Sequence, residues 1–157
     1  MRKILFIGRF QPFHLGHLSA LQKIDERDDV DEIIVGVGSA QYYGTEDNPF
    51  SFEQRKQMII EALIPELNKG FRIEAIDDVH DNSIWVEHAE KIVGKFDEVY
   101  TGNELVKSLF EEKKYQVNLI NRKLDITATK IREMIKIGDN QWQKLVPKNI
   151  IKYASIG

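Results

Sequence analysis

The stretch KILFIGRFQPFHLGH, residues 3–17, joins a short apolar run to the start of a helical pattern. Residues 4–7 have the length and composition of a buried strand, and glycine and proline interrupt the chain directly after it. Four polar side chains lie in the turn that follows: Arg9, Gln11, His14 and His17. A purely structural turn rarely needs so many polar groups, so we predict that this turn binds a ligand.

Strand and helix patterns alternate along most of the chain. β-type runs occur at 3–7, 32–37, 71–76, 97–101 and 115–120. Segments with helical spacing occur between them at 15–26, 51–64, 83–94 and 103–112. This alternation predicts an α/β, Rossmann-like, doubly wound sheet of five parallel strands in the order 3-2-1-4-5.

The region after the fifth strand predicts helices at 127–136 and 140–154, separated by Gly138 and interrupted near Pro147. We therefore expect one domain over residues 1–157, with a C-terminal helical region at about 127–154. In doubly wound sheets, ligands bind at the carboxyl ends of the strands. The segments predicted to follow the strands are polar: 8–14, 38–41, 77–82, 102–105 and 121–123.

Composition limits the classes of function. The chain has 157 residues with a net charge of −3, so no broad basic surface indicates nucleic acid, and we expect any bound anion to be small. It contains no cysteine, which excludes thiolate metal sites and cysteine nucleophiles and is consistent with the cytoplasm. Only four apolar residues precede Gly8, too few for a signal sequence or a membrane span.

The two histidines of the first turn are spaced i, i+3 and share one face if a helix starts near His14. Free N–H groups and the positive end of the dipole at a helix start favour phosphate, and Gly16 would let a ligand approach the backbone closely. We favour phosphate binding by His14 and His17. The alternative is that one histidine caps the turn and the other packs; zinc lacks an obvious third ligand.

A second cluster occurs in TATKIRE, residues 127–133. Thr127 or Thr129 could cap a helix whose first turn carries Lys130 and Arg132. Cations there oppose the helix dipole, and a bound polyphosphate would compensate for that cost. The alternative is a solvated helix start whose cations pair with Glu133 or nearby acids.

Together these motifs resemble those of a known family. GRFQPFHLGH, GSAQ, NPF followed by EQR, DNSIWVEH, VYTGN and TATKIR are similar to archaeal-type nicotinamide-nucleotide (NMN) adenylyltransferases of the HxGH nucleotidyltransferase superfamily. The resemblance covers residues 4 to about 136. There are two departures: Thr127 stands where serine is common, and Asp47 stands where some relatives have a basic residue.

The resemblance implies adenylyl transfer from ATP to nicotinamide mononucleotide, giving NAD and pyrophosphate by in-line attack of the acceptor phosphate. It implies a homo-oligomer and Mg²⁺ carried by the ATP, with no dedicated protein metal site. The implied catalytic residues are His14, His17 and Arg132. The implied ATP-binding residues are Arg9, Phe10, Gln11, Gly102, Asn103, Thr127, Thr129 and Lys130. The implied acceptor-binding residues are Phe13, Ser39, Arg55, Asp78, Asn82 and Trp85.

Several alternatives stay open on the sequence. Trp85 could be a core residue, and Arg55 could pair with Glu53 or Glu61. The acceptor could be FMN or phosphopantetheine, or the chain could sense ATP or NAD without turnover. A dehydrogenase is disfavoured, because GVGSAQ has Gln41 where the third glycine of the dinucleotide-binding fingerprint would fall.

Overall fold

Five strands alternate with helices in the computed structural model, which describes residues 1–120 and 126–154. The strands are β1 (Lys3–Gly8), β2 (Glu32–Val37), β3 (Gly70–Ala75), β4 (Glu98–Thr101) and β5 (Gln116–Leu119). The α-helices are α1 (Leu15–Asp25), α2 (Phe52–Leu63), α3 (Asn82–Val93), α4 (Glu104–Glu112) and α5 (Ala128–Lys136). All strands pair in parallel in the order β3-β2-β1-β4-β5, which confirms the predicted topology.

The sheet is covered on both faces because residues 4–7 of its central strand β1 form an unbroken apolar run. On β1, Ile4 and Phe6 pack into one core cluster, while Leu5 and Ile7 pack into the other. Successive side chains of a strand point to opposite faces, so an unbroken apolar run needs cover on both sides. Helices α1, α2 and α5 contribute to the first cluster, and α3 and α4 contribute to the second.

The C-terminal helical region predicted over 140–154, with its interruption near Pro147, is confirmed, and its helices are of the 3₁₀ type. They occupy Asn140–Lys144 and Lys148–Tyr153. Gly138, at φ 78°, ends the chain's last α-helix, and Pro147 leaves too few residues between the two breaks for stable α-helical turns. Buried Trp142 and Ile150 anchor both short helices on the first core cluster.

The strand order places β1 between β2 and β4, so the chain reverses direction across the sheet at β1. Gly8 at the end of β1 lies opposite Val37 of β2, and Ile7 lies opposite Thr101 of β4. The turn after β1 therefore faces the turns after β2 and β4, where ligands bind in such sheets. The predicted polar segment 121–123 lies outside the described residues. In the described ranges, no helix has the length and apolar character needed to span a bilayer.

Candidate active site

A cavity of about 840 Å³ opens at the carboxyl edge of the sheet. Four helices begin at its wall: α1 at His14, α3 at Asn82, α4 at Asn103 and α5 at Thr127. Each helix start carries the partial positive charge of its helix dipole. The first turns of α1 and α5 contain no acidic residue to compensate for that charge, which favours an anionic ligand.

Charged side chains add to this potential. Two cationic side chains, Arg9 and Arg132, line the cavity, whereas Asp78 is the one carboxylate among the described lining residues. The site is thus locally cationic in a chain whose net charge is −3. Local charge, rather than net charge, decides which ligands a cavity attracts.

His14 and His17 form a stacked pair at the start of α1. Their ring centroids lie 3.6 Å apart with 21° between the planes. His14 Nδ1 accepts hydrogen bonds from the backbone N–H groups of Gly16 and His17, and His17 Nδ1 accepts one from the backbone N–H of His14. The capping alternative is therefore correct for His14, and the ring remains on the cavity wall while it caps the helix.

This arrangement sets the protonation of both rings. A nitrogen that accepts a hydrogen bond carries no proton, so each neutral ring holds its proton on Nε2. Burial is the main cause that lowers the pKa of His17 well below its usual value, and the adjacent ring of His14 would repel a proton on His17 if it were itself protonated. The pair consequently supplies two neutral N–H donors, which bind phosphate oxygens without requiring two adjacent charges.

Gly16 is required by this histidine pair. Gly16 lines the cavity, and the ring of His14 occupies the space that a side chain at position 16 would take. A β-carbon at position 16 would lie 2.8 Å from His14 Cε1 and 3.0 Å from His14 Nδ1. Any side chain at position 16 would therefore displace the His14 ring from its cap.

We expect Gly16→Ala to lower kcat between about 10- and 100-fold, because displacement of a reacting group by about 1 Å costs up to that much. Loss of the cap should also cost about 1 kcal/mol of stability. Gly70→Ala is the matched control, since a β-carbon there meets no atom within 4 Å. Steady-state kinetics and melting curves test both variants. Equal kcat for the two would contradict this role of Gly16.

Arg132 projects from α5 into the cavity. The hydroxyl of Thr127 caps α5 by accepting a hydrogen bond from the N–H of Lys130. One Arg132 nitrogen donates to the carbonyl of Gln11 at 2.8 Å, and another donates to the hydroxyl of Thr129 at 3.3 Å. Burial, followed by the nearby charge of Arg9, lowers the pKa of Arg132. The two guanidinium groups thus lie close enough to repel each other, which a bound polyphosphate would relieve.

Two other predicted ligand-binding residues make structural hydrogen bonds. The buried amide of Gln11 donates to the carbonyl of Phe50 and accepts from its N–H, both at 2.9 Å. The side chain of Asn103 caps α4 by accepting from the N–H of Val106. These side chains hold the loops that form the wall.

The wall of the cavity also contains Ser39, Asp78, Asn82 and Trp85. The hydroxyl of Ser39 donates to Asp78 Oδ2 at 2.7 Å, which joins the turns after β2 and β3. Trp85 is 8% exposed and meets Phe110 edge to face at 5.6 Å between ring centroids. It therefore belongs to the core and also lines the cavity.

Comparisons with known proteins identify the family. A model described as cytidylyltransferase-like matches residues 5–134. Two proteins named nicotinamide-nucleotide adenylyltransferase, from Thermococcus sibiricus and Thermoplasma volcanium, are 46% identical over 155 residues and 44% identical over 153 residues. The alignments cover 95% and 96% of this chain and 81% and 84% of those proteins. This chain belongs to the nicotinamide-nucleotide adenylyltransferase family.

Solved structures share the fold of this family member. One is a bifunctional NMN adenylyltransferase/ADP ribose pyrophosphatase from Francisella tularensis, complexed with AMP and a manganese ion, with a TM-score of 0.71 and 26% identity. The match covers 97% of this chain and 48% of the other, so the chain spans about half of that protein. A nicotinic acid mononucleotide adenylyltransferase from Plasmodium falciparum has the same fold, with a TM-score of 0.64 at 16% identity.

In this member of the family, the cavity gathers most of the residues that the sequence indicated. The predicted site residues on its wall are Arg9, Phe10, Gln11, His14, His17, Ser39, Asp78, Asn82, Trp85, Gly102, Asn103, Thr127, Thr129 and Arg132. They come from five separate segments of the chain. The cavity is thus large enough and polar enough for a dinucleotide-sized ligand.

Three predicted residues do not line the cavity. Phe13 is fully buried and packs on Phe10 and His17. Lys130 follows Thr129 by one residue, and the 100° rotation per residue turns it away from the face that carries Thr129 and Arg132. The guanidinium of Arg55 is fully buried and bonded to main-chain carbonyls, so the alternative, a pairing with Glu53 or Glu61, is not observed either.

Two residues received no role from the sequence. The amide of Gln41 accepts from the N–H of Asp78 at 2.9 Å and donates to its carbonyl at 3.1 Å, which clamps the Asp78 backbone. His80 lines the cavity and hydrogen-bonds to the hydroxyl of Tyr42 at 3.0 Å. Both residues lie in polar segments that directly follow strands, and this position is the feature of the sequence that could have indicated a role for them.

Proposed function

We propose that this chain transfers the adenylyl group of ATP to nicotinamide mononucleotide, giving NAD and pyrophosphate. The observation that carries the proposal is the stacked pair of neutral histidine donors beside Arg132, at a cavity where helix starts converge. Membership of the nicotinamide-nucleotide adenylyltransferase family supports the choice of acceptor.

The reaction needs no protein nucleophile. A 5′-phosphate oxygen of the acceptor attacks the α-phosphorus of ATP, and the bond from that phosphorus to the oxygen bridging to the β-phosphate breaks. Pyrophosphate leaves with the electron pair. Catalysis then consists of alignment and charge stabilisation, the roles for which fixed N–H donors are suited.

The histidine and arginine donors bind different phosphates of the ATP. His14 and His17 donate from Nε2 to oxygens near the α-phosphate, where charge develops in the transition state. Arg132 and Arg9 bind the β- and γ-phosphates, which leave as pyrophosphate. The N–H groups that open α5 lie beside Arg132 and are suited to the same anion.

The divalent cation enters with the ATP. Among the described residues, no group of three or more histidine, aspartate or glutamate side chains could hold a metal ion. Asp78, the carboxylate of the wall, accepts the hydroxyl of Ser39. We propose Mg²⁺ held by phosphate oxygens and water, where it reduces the charge of the polyphosphate.

The proposed acceptor end offers an apolar face and polar groups at its edge. Trp85 presents part of its indole to the cavity, and Asn82 lies one helical turn before it at the exposed start of α3. A pyridine ring stacks on an indole, and an amide side chain both donates to and accepts from a carboxamide. These properties support Trp85 and Asn82 as the groups that bind the nicotinamide.

The test is an assay of pyrophosphate release from ATP and Mg²⁺ with a panel of acceptors. We expect turnover with nicotinamide mononucleotide and none with FMN or phosphopantetheine. Pyrophosphate release with only FMN or phosphopantetheine would contradict the proposed acceptor. Nucleotide binding without turnover would favour the sensing alternative. Light scattering on the same sample tests whether the chain forms the homo-oligomer that the family resemblance implies.

We expect Asn82→Asp to shift acceptor choice toward the amide by about tenfold or more. A carboxylate at position 82 accepts from a carboxamide and repels the carboxylate of nicotinic acid mononucleotide, and hydrogen bonds to charged groups contribute about 1.5–3 kcal/mol. The fold should persist, since an acid at a helix start is favourable. The ratio of kcat/KM for the two acceptors measures the effect.

Glu87→Gln is the control for this prediction, because Glu87 is an exposed residue of the same helix outside the cavity. It should leave the acceptor ratio unchanged. An unchanged ratio in Asn82→Asp itself would show that Asn82 does not contact the ring substituent.

A further inference from the structure

Arg55 is a fully buried cation whose partners are main-chain carbonyls. Its guanidinium donates at 2.9–3.4 Å to six carbonyl oxygens, those of Arg9, Gly38, Ser39, Ala40, Tyr42 and Ser51. No carboxylate of the described residues forms an ion pair with it. Buried arginines are usually paired, so this arrangement requires an explanation.

The six carbonyls belong to three separate segments. They come from the turn after β1, the turn after β2 and the start of α2. A planar group with five N–H donors in fixed directions determines the relative positions of all three segments at once. Arg55 thus ties together two of the turns that form the cavity.

Both of these turns contain strained backbone. Phe10, directly after one bonded carbonyl, has φ 55°, and Ser39, whose own carbonyl is bonded, has φ 49°. Side chains other than glycine rarely adopt such angles, which cost about 1–3 kcal/mol each and persist only where surrounding contacts impose them. Among the described residues, only one other non-glycine residue, Lys114, has a positive φ.

The two turns follow neighbouring strands, and each presents a group to the cavity wall. The turn after β1 presents the side chain of Arg9, which the proposed function assigns to ATP. The turn after β2 presents the hydroxyl of Ser39, which bonds Asp78 at the acceptor end. A shift of either turn would move Arg9 relative to Ser39, and in-line attack depends on how the groups that bind the two substrates are positioned.

Arg55 also contributes charge. Burial, followed by the charge of Arg9, lowers its pKa to about 10, so the group stays protonated at neutral pH. Carbonyl oxygens solvate the cation and do not neutralise it. Its positive charge therefore adds to the potential that attracts phosphate.

We propose that Arg55 is a positioning residue that holds the turns after β1 and β2 at the separation required for both substrates, without contacting either. The proposal rests on the proposed function for its assay of turnover. It predicts that Arg55 acts through the backbone of Arg9 and Ser39. It also predicts that charge alone at position 55 does not suffice.

The experiment compares Arg55→Lys with Leu63→Ala, using the full chain. Lysine keeps the charge but presents three donors from one atom, so it cannot bridge three segments. Leu63 is fully buried on the same helix, about two turns away from Arg55 and outside the cavity. Both variants should lower the melting temperature. Arg55→Lys should in addition lower kcat/KM for ATP at least tenfold, whereas Leu63→Ala should retain it when both are assayed well below their melting temperatures.

A double-mutant cycle with Arg9→Ala tests whether Arg55→Lys lowers kcat/KM for ATP by moving the turn that carries Arg9. If Arg55 acts through the turn that carries Arg9, the two substitutions are non-additive in kcat/KM for ATP. Purely additive effects, equal losses in Leu63→Ala, or an Arg55→Lys variant within twofold of the parent would each overturn the proposal. ATP affinity is measured separately by calorimetry without acceptor. A parent that binds ATP yet makes no NAD contradicts the proposed function, and the calorimetric ATP affinities of the variants then still test the role of Arg55.

Hydrogen exchange keeps the proposal testable if Arg55→Lys does not fold. The N–H groups of Gly38, Ala40 and Tyr42 are bonded to backbone carbonyls in the structure. If Arg55 pre-sets the turn, the unmodified protein should protect these amides equally with and without ATP and Mg²⁺. Protection that rises more than tenfold on adding ATP would show that the ligand, and not Arg55, orders the turn.

Discussion

His17→Ala lowers kcat by roughly 10²–10³-fold, because the loss of one preorganised donor to developing charge typically costs about 2.7–4 kcal/mol. The effect should be large for this residue, since His17 also accepts the N–H of His14 and stacks on its ring. Single-turnover kinetics with saturating ATP and acceptor measure the chemical step directly. A variant with near-normal turnover would show that His17 does not act on the phosphates.

The control for His17→Ala is His88→Ala. His88 lies on α3 outside the cavity and contacts Asp77 at 3.1 Å. We expect His88→Ala to retain kcat. Because the pKa of His17 is lowered, its neutral ring should persist below the usual histidine value of 6.5, so kcat of the parent should hold as the pH falls through that value. A kcat that halves near pH 6.5 would contradict a neutral donor at this position.

Arg132→Ala lowers kcat/KM for ATP by about 10- to 150-fold, because a charged hydrogen bond contributes about 1.5–3 kcal/mol. Arg132→Lys should fall between the alanine variant and the parent, since lysine keeps the charge and loses the planar fork that binds two phosphate oxygens. The measurement is kcat/KM for ATP at saturating acceptor, together with ATP affinity by calorimetry.

Lys136→Ala is the matched control on the same helix. Lys136 is exposed and pairs with Glu46 at 2.7 Å, and such surface pairs contribute about 0–1 kcal/mol. It should behave like the parent. Equal activity of Arg132→Ala, Arg132→Lys and the parent would reduce Arg132 to a surface charge.

The secondary structure of the sheet and its helices followed closely from local patterns. Each predicted strand, and each helix up to residue 136, lies within one residue of the observed element. The apolar run at β1 and the spacing of α1 are properties of neighbouring residues, which a window of sequence contains in full. The 3₁₀ type of the two helices after Gly138 was not predictable, because these short helices depend on Trp142 and Ile150 packing against distant segments.

The site was predictable only in part. His14, His17, Arg132 and Trp85 stand in motifs that indicated a nucleotide site, and the structure brings all of them to one cavity. The hydrogen-bond partners of Arg55 were not predictable, because they include carbonyls up to 46 positions away along the chain. Likewise, a glycine beside two histidines does not reveal that the ring of His14 fills its space.

The sequence by itself determined the strand order, the turn that carries the histidines and the family, because hydrophobic periodicity and short motifs are local properties of the chain. The tertiary structure alone decided which polar side chains line the cavity and which hold its walls. Gln11 and Arg55 look like ligand-binding residues in the sequence, yet their donors bond main-chain groups of distant turns. A buried donor must find an acceptor, and only the folded backbone determines where that acceptor lies.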